Sequence, residues 1–362
     1  MNLPSTPVHL WIRSESRATE RRAPIVPADA ARLIGEGAQI TVEESAQRVF
    51  ETTWYAEAGC EIAPEGSWVD APTDAYIVGI KELPDQPDRL RHTHIYFAHA
   101  YKGQAGADEL LARFSRGGGE LLDVEYLTTQ GRRVVAFGYW AGYVGASLSL
   151  LAHADNLLAP LQPTSRPKLD AAVKQSGGTP GRALVIGARG RSGRGACDAL
   201  TEAGWEFTRW GLADTTPLDR DALLAHDVLV NCVLSTRPQD PFVTCADIEV
   251  EDRVLRVIGD VTCDVTSDNN VLPINTAITT WEEPVRRYGQ ADQTATTDVS
   301  VNSTPSSRAS AIDVIAIDNL PSLLPLEASV SFSADFTPLI GDLAERTGPF
   351  EQARAAFERA AY

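Results

Sequence analysis

The chain has 362 residues and a formal net charge of -17. This acidity disfavours nucleic-acid binding, because phosphate contacts need clustered Lys and Arg. The length predicts about two domains, and the apolar stretches are too short and interrupted to span a membrane. Five scattered Cys without CxxC spacing predict neither a disulfide framework nor a zinc site. We therefore expect a cytoplasmic, monomeric protein that acts on small molecules and binds no metal, membrane or nucleic acid.

The first third of the chain alternates apolar runs with helical patterns. We expect strands over residues 8–13, 39–42, 75–80, 94–98 and 121–126. We expect helices from Pro27 to about Gly35, over 50–58 and over 107–114. This alternation predicts a parallel sheet with helices on both faces.

Two of these strands end at ionisable side chains. Lys81 and Glu82 follow one strand, and His99 and then Gln104 follow the next. The ligand crevice of an open parallel sheet lies at the carboxyl ends of its strands, so these four residues are expected around one cleft. The chain has four Lys, and a desolvated Lys accepts a proton near neutral pH where Arg does not. The alternative is that these charges are solvated loop residues.

The rest of the chain predicts a second unit. Residues 138–158 form an apolar helix whose small residues indicate close packing, and 161–181 resemble a surface connection. Further strands are expected over 182–187, 206–210, 228–232, 255–260 and 314–317. Helices are expected over 196–203 and 339–361, with loops and a strand near 277–281 over 265–311. The pattern is again that of a doubly wound sheet.

Gly187, Gly190 and Gly193 lie between a predicted strand and a helix, where a dinucleotide-binding loop belongs. Glycines let the backbone approach a pyrophosphate at the helix N-terminus, and the alternative is a plain tight turn. The acid that binds the adenosine ribose is expected at the end of the next strand. That position is Gly211, with Asp214 three residues later. The pattern therefore leaves NAD and NADP open.

Three smaller features complete the pattern. Arg132 and Arg133 each have the fork that binds carboxylate or phosphate, although an exposed basic turn is the alternative. His92 and His94 are two residues apart, which does not suit a helical metal pair. Cys232 is expected to be a small buried hydrophobe.

Several collinear motifs carry a family resemblance: LWIRSESRATERR, GIKELP, HTHIYFAHAYKGQAG, LLDVEYL, GRRVVAFGYWAGYVGA, VIGARGRSGRGA, GDVTCD and IDNLPSLLP. The chain resembles the NAD-dependent, lysine-forming saccharopine dehydrogenases, which are related to alanine dehydrogenase. The resemblance implies an α/β fold with two Rossmann-like doubly wound domains and the active site between them. It implies a substrate and catalytic domain over 1–135 plus 326–362, and a dinucleotide-binding domain over 136–325.

The resemblance also assigns roles to residues. Lys81 and His99 match the acid–base pair of the family. Substrate-binding roles fall on Arg22, Glu82, Gln104, Glu125, Arg133, Phe137, Thr262, Cys263 and Asp264. Cofactor-binding roles, together with the loop glycines, fall on Arg132, Gly187, Gly190, Arg191, Gly193, Thr215, Val261, Ile317, Asp318, Asn319 and Leu320.

Two departures keep alternatives open. Gly211 stands where the family has a ribose-binding Asp, and Leu326 stands where it has an Arg. The first hypothesis is NAD-dependent oxidative deamination of L-saccharopine to L-lysine and 2-oxoglutarate, and the reverse reaction, in lysine biosynthesis. The second is an opine-type secondary-amine dehydrogenase with another amino acid or NADP. The third, a non-catalytic dinucleotide sensor, is disfavoured because it would need no acid–base pair.

Overall fold

The computed structural model describes residues 8–101, 104, 106–177, 180–235, 237–289 and 311–361. The chain divides into two compact units, Met1–Phe137 with Pro325–Tyr362, and Gly138–Leu324. Each unit has its own six-stranded, predominantly parallel sheet and its own hydrophobic core. The predicted α/β class with two doubly wound units is confirmed.

The strands and helices are as follows. The strands are β1 (His9–Ile12), β2 (Gln39–Glu43), β3 (Glu61–Ala63), β4 (Tyr76–Val78), β5 (Thr93–Tyr96), β6 (Glu120–Asp123), β7 (Thr128–Thr129), β8 (Arg132–Arg133), β9 (Arg182–Ile186), β10 (Glu206–Trp210), β11 (Val228–Asn231), β12 (Val257–Asp260), β13 (Arg286–Tyr288) and β14 (Ile312–Ile315). The α-helices are α1 (Pro27–Gly35), α2 (Thr52–Glu57), α3 (Ala107–Gly117), α4 (Gly138–His153), α5 (Arg166–Gln175), α6 (Arg191–Glu202), α7 (Arg220–Leu224), α8 (Pro325–Phe336), α9 (Ile340–Glu345) and α10 (Pro349–Ala361).

The sheet of the first unit has the order β3-β2-β1-β4-β5-β6, and all its strands are parallel. The chain moves outward from β1 to β3 and then returns to the other side of β1 with β4. The topological switch point therefore lies between β1 and β4, with Ile12 opposite Val78. Ligands of such sheets bind beyond the carboxyl ends of the strands at this point.

The sheet of the second unit has the order β10-β9-β11-β12-β14-β13. It is parallel except for β13, which runs antiparallel to β14. Its topological switch point lies between β9 and β11. The loop that follows β9 therefore begins where ligands of such sheets bind. The four residues 183–186 are all buried, as expected for a strand covered by helices on both faces.

Helices α4 and α6 pack with their backbones in contact. A Cβ atom on Gly142 would lie 1.8 Å from the carbonyl oxygen of Ser192, and one on Gly195 would lie 1.9 Å from that of Tyr139. No side chain fits at such distances. The close packing predicted for the small residues of α4 is confirmed.

Some predicted elements are wrong. Residues 161–181 contain helix α5, which begins after Ser165 with a Pro in its first turn and buries Leu169 and Val173 one turn apart. The expected strand near 277–281 is reduced to a single bridge between Thr279 and Ile317. The C-terminal helix is two helices, because the backbone at Arg346 is left-handed. Residues 290–310 of the predicted loop lie outside the described residues.

Candidate functional site

His99 follows β5, and its backbone has an unusual conformation. Its φ is 52°, a left-handed value that is uncommon for residues other than Gly. Its ring stacks on Phe97, with 6.2 Å between centroids. Its Nδ1 lies 3.1 Å from Oε2 of Glu125. Backbone strain of this kind clusters at functional sites.

Glu125 joins His99 to Arg133. The Glu125 side chain follows β6 and is only 10% exposed, and its Oε1 accepts a 2.6 Å hydrogen bond from Nη2 of Arg133. Its backbone N–H donates to Oδ1 of Asp123 at 2.9 Å, and burial raises the pKa of Asp123. A carboxylate at Nδ1 fixes the orientation of an imidazole, which leaves Nε2 to exchange protons. The structure thus brings three predicted site residues into one hydrogen-bonded chain.

Lys81 and Glu82 follow β4 at the switch point of the first unit. Arg17 contacts the Glu82 carboxylate with both Nε at 2.7 Å and Nη2 at 3.2 Å. Partial burial alone would raise the pKa of Glu82, but the hydrogen bonds from Arg17 lower it, and the net shift is downward. The backbone N–H of Lys81 donates to Oε2 of Glu15 at 3.0 Å, and that of Ile80 donates to Oε1 at 2.6 Å. The strand end that carries Lys81 is therefore tied to the end of β1.

Arg13 and Glu15 contact the backbone of Lys81, and the sequence analysis did not identify them. They form a buried ion pair with 3.2 Å between Nη1 and Oε2, and Nη2 of Arg13 donates to the carbonyl oxygen of Lys81. Burial raises the pKa of Glu15. The available signal was an Arg ending an apolar strand, with a Glu two residues later, in the motif LWIRSE.

Arg22 and Phe137 lie together inside the first unit. The Arg22 guanidinium is buried and donates to both carboxylate oxygens of Glu20, at 2.8 and 2.5 Å. It lies 4.0 Å from the centre of the Phe137 ring, which stacks on Phe332 at 4.5 Å. The Arg22 guanidinium, which was predicted to bind a substrate carboxylate, thus contacts the carboxylate of Glu20 within the protein. Two other predicted residues, Gln104 and Arg132 on β8, are exposed.

The loop between β9 and α6 has the geometry of a pyrophosphate cradle. Gly187 has a φ of 82°, and its carbonyl oxygen accepts the N–H of Gly190 at 3.0 Å. A Cβ on Gly193 would lie 2.2 Å from that same oxygen. Helix α6 begins at Arg191 without a side-chain cap, and the N-terminus of a helix, with its N–H groups directed outward, suits an anion. These residues fit a dinucleotide.

The end of β10 lies beside this loop, because the N–H of Gly187 donates to the carbonyl oxygen of Trp210 at 2.9 Å. Gly211 offers no side chain, but its N–H donates to Oδ2 of Asp214 at 2.8 Å. A carboxylate is therefore present at this strand end, supplied from three residues further on. Thr215, another predicted cofactor residue, follows directly, with its Oγ1 3.4 Å from the Gly211 carbonyl oxygen.

The remaining predicted residues of the second unit follow β12 and β14, at the same edge of the sheet. Buried Asp260 accepts hydrogen bonds from Oγ1 of Thr262 at 2.7 Å and from Nδ2 of Asn231 at 3.0 Å, and burial raises its pKa. Cys263 has a φ of 53°. Asp260 and Asn231, which hold this loop, were not identified from the sequence. The loop residues are Val261, Thr262, Cys263 and Asp264 after β12, and Ile317, Asp318, Asn319 and Leu320 after β14.

The other His and Cys residues considered in the sequence analysis are surrounded by protein groups. His92 contacts the carbonyl oxygen of Ala71 at 3.0 Å, and burial lowers the pKa of His94 well below its usual value. Burial also raises the pKa of Cys232. Among the described residues, no three His, Cys, Asp or Glu side chains group in a way that could hold a metal ion. No helix in the described part of the chain is long and apolar enough to cross a membrane.

Comparison with solved structures defines the fold. L-alanine dehydrogenase has a TM-score of 0.62 at 15% identity, with coverage of 98% of this chain and 94% of that structure. The transhydrogenase from Sinorhizobium meliloti has a TM-score of 0.57 at 14% identity, with coverage of 93% and 94%. A family model described as the N-terminal domain of alanine dehydrogenase/PNT matches residues 11–144. The chain therefore has the two-unit, Rossmann-like fold of these dehydrogenases.

Closer relatives define the family. Saccharopine dehydrogenase (NAD(+), L-lysine-forming) of Schizosaccharomyces pombe is 40% identical over 353 residues, which cover 91% of each chain. The enzyme of the same name from Neurospora crassa is also 40% identical, with coverage of 92% of this chain and 90% of the relative. The chain belongs to the NAD(+)-dependent, L-lysine-forming saccharopine dehydrogenase family, and the predicted resemblance is confirmed.

Proposed function

We propose that the protein is an NAD-dependent oxidoreductase that converts L-saccharopine and water to L-lysine and 2-oxoglutarate, and catalyses the reverse condensation. The observation that carries this proposal is the acid–base set at the carboxyl edge of the first sheet. His99 is oriented by Glu125 at 3.1 Å, and Lys81 extends from a strand end held by Glu15. Family membership supplies the substrate class.

NAD supplies the acceptor for the hydride that leaves the glutamyl Cα of saccharopine. We propose that the second unit binds it, since its glycine loop and α6 form an anion cradle. The residues assigned to NAD binding are Gly187, Gly190, Arg191, Gly193, Thr215, Val261, Ile317, Asp318, Asn319, Leu320 and Arg132.

Lys81 and His99 divide the proton transfers. Neutral Lys81 accepts the proton of the secondary amine as the C–N bond is oxidised to an imine. His99 then removes a proton from the water that attacks the imine carbon, and later returns a proton to the departing lysine nitrogen. Glu125 stabilises the imidazolium that forms, through its contact with Nδ1. Histidine is the side chain most often used for general acid and general base catalysis, which suits both steps.

We assign binding of the substrate's carboxylates and amines to the remaining predicted residues. Arg133 presents a partly exposed fork beside Glu125, which suits a carboxylate. The other assigned residues are Arg22, Glu82, Gln104, Phe137, Thr262, Cys263 and Asp264. We propose that the first unit is the substrate and catalytic domain, and that the protein works as a monomer in the cytoplasm.

The test is a spectrophotometric assay at the absorbance of NADH, with saccharopine and NAD, then with NADP, and in reverse with lysine and 2-oxoglutarate. Lys81→Met and His99→Gln should each lower kcat about a hundredfold or more, as expected for loss of general acid–base catalysis. Circular dichroism controls for folding. Full turnover by Lys81→Met would refute the assignment of the base.

The alternative is a sister dehydrogenase that uses NADP or another amino acid. Gly211 suggested NADP, but Asp214 supplies a carboxylate at the same strand end. Saccharopine turnover with NADP alone would select it over the first proposal. Binding of NADH without turnover of any secondary amine would refute both.

A further inference from the structure

A buried ion pair holds the peptide group that carries Lys81. Arg13 and Glu15 follow β1, and their side chains are 1% and 6% exposed. Glu15 accepts the N–H of Lys81 at 3.0 Å, and Arg13 donates to the carbonyl oxygen of the same residue. Both backbone polar groups of Lys81 therefore contact one pair of opposite charges from the neighbouring strand.

Gly79 provides the space for this pair. A Cβ atom on Gly79 would lie 2.5 Å from Nε and 2.6 Å from Cζ of Arg13. The Arg13 guanidinium thus lies directly against the backbone of the strand end, two residues before Lys81. Arg48 adds a hydrogen bond to the Arg13 carbonyl oxygen at 3.3 Å, which fixes the end of β1.

Stability alone explains this arrangement poorly. Desolvation of two charges is costly, and a buried pair is often replaceable by apolar residues without loss of stability. This pair lies at the topological switch point, where ligands bind, and its contacts end on the residue proposed as the base. Lys has a flexible four-carbon stem, so the direction of its amine depends on a fixed starting peptide.

We propose that Arg13 and Glu15 are positioning residues that set the direction in which the Lys81 side chain leaves the end of β4. The inference rests on the proposed function, in which Lys81 accepts the amine proton. Arg13 and Glu15 influence catalysis only through the position of Lys81. Neither residue is assigned a contact with substrate or cofactor.

The variants are Glu15→Gln, which removes the charge at constant shape, and Glu15→Asp and Arg13→Lys, which keep the charges but alter the contacts. The matched control is Glu120→Gln. Glu120 begins the edge strand β6, two strands from β4, and Arg354 donates to both of its carboxylate oxygens at 2.6 and 3.0 Å. This control removes a less buried Arg–carboxylate pair at the amino end of a strand, whereas Lys81 follows the carboxyl end of β4.

Two readouts separate positioning from stability. Steady-state kinetics should show kcat for Glu15→Gln lowered about tenfold to a hundredfold, with KM nearly unchanged, as for a misplaced catalytic group. The second readout is NMR after reductive ¹³C-methylation, because the chain has only four Lys. Lys81→Arg identifies the Lys81 signal, which should move in Glu15→Gln while those of Lys168 and Lys174 stay in place.

Glu120→Gln should lower Tm but leave kcat and the Lys81 signal unchanged. If Glu15→Gln does not fold, Glu15→Asp and Arg13→Lys carry the same prediction with a smaller effect. The proposal is overturned if the folded Glu15 and Arg13 variants lose Tm yet keep both kcat and the Lys81 signal. A moved signal together with a fully active Lys81→Met would support the positioning contact and refute the assigned base, so the two failures are distinguishable.

Discussion

The substitution Gly193→Ala tests whether helix α6 must touch the glycine loop. Its Cβ would lie 2.2 Å from the carbonyl oxygen of Gly187 and 2.5 Å from Cα of Ala188. Both atoms belong to the backbone, so relief requires a shift of about 1 Å or more to approach normal contact distance. Overpacking of a close-packed site costs about 1–3 kcal/mol, and we expect the upper end because no flexible side chain can yield.

For a unit of this size, about 3 kcal/mol corresponds to a decrease in Tm of roughly 6–12 °C. Differential scanning calorimetry measures that decrease, and titration of NADH fluorescence measures the accompanying loss of affinity. The matched control is Gly190→Ala, whose Cβ would have only one neighbour, the Gly187 oxygen at 3.3 Å. We expect Gly190→Ala to lower NADH affinity with little change in Tm. An unchanged Tm for Gly193→Ala would show that this packing argument is wrong.

Three further predictions concern carboxylates. Glu125→Gln should lower kcat about tenfold to a hundredfold, since a charged hydrogen bond to His99 contributes about 1.5–3 kcal/mol; unaltered kcat would exclude the orienting role. Asp214→Asn should weaken NADH binding about tenfold, because its carboxylate lies at the strand end where an acid binds the adenosine ribose; equal affinity in a fluorescence titration would contradict this. Burial raises the pKa of Asp260, so the folded state binds its proton more tightly. The free energy of unfolding should therefore fall as pH rises from about 4 through that raised pKa, and denaturant titrations of Asp260→Asn should lack this fall.

The sequence predicted the elements that follow simple periodicity, and the reason is visible in their burial. Strand β9 is a continuous buried run, and the glycines of α4 mark backbone contact with α6. Helix α5 was missed because the segment 161–181 is rich in Pro, Lys and Gly, which suggested a surface connection, although Leu169 and Val173 are buried one turn apart. Both side chains pack in the core of the second unit, a contact that the composition of the segment does not indicate.

The sequence predicted those residues of the candidate site that follow apolar strands, but not the contacts between residues that are distant in the chain. Lys81 and His99 could be found because each follows an apolar strand, and strand ends share one edge of the sheet. The contact between Arg13 and the Lys81 peptide joins residues 68 positions apart, so no local spacing indicates it. The sequence analysis noted Asp214 but did not place its carboxylate at the end of β10, since Asp214 reaches back to Gly211 only through the turn.

The backbone contact between α4 and α6 also affects how variants of this protein will be interpreted. Ser192 in the first turn of α6 lies against Gly142, so any side chain added to Gly142 displaces the start of the helix that borders the glycine loop. A screen for altered nucleotide preference would then recover substitutions in α4, a helix with no residue in the predicted cofactor set. Such variants would report the position of the loop, and their cofactor phenotypes should be reversed by compensating changes in α6.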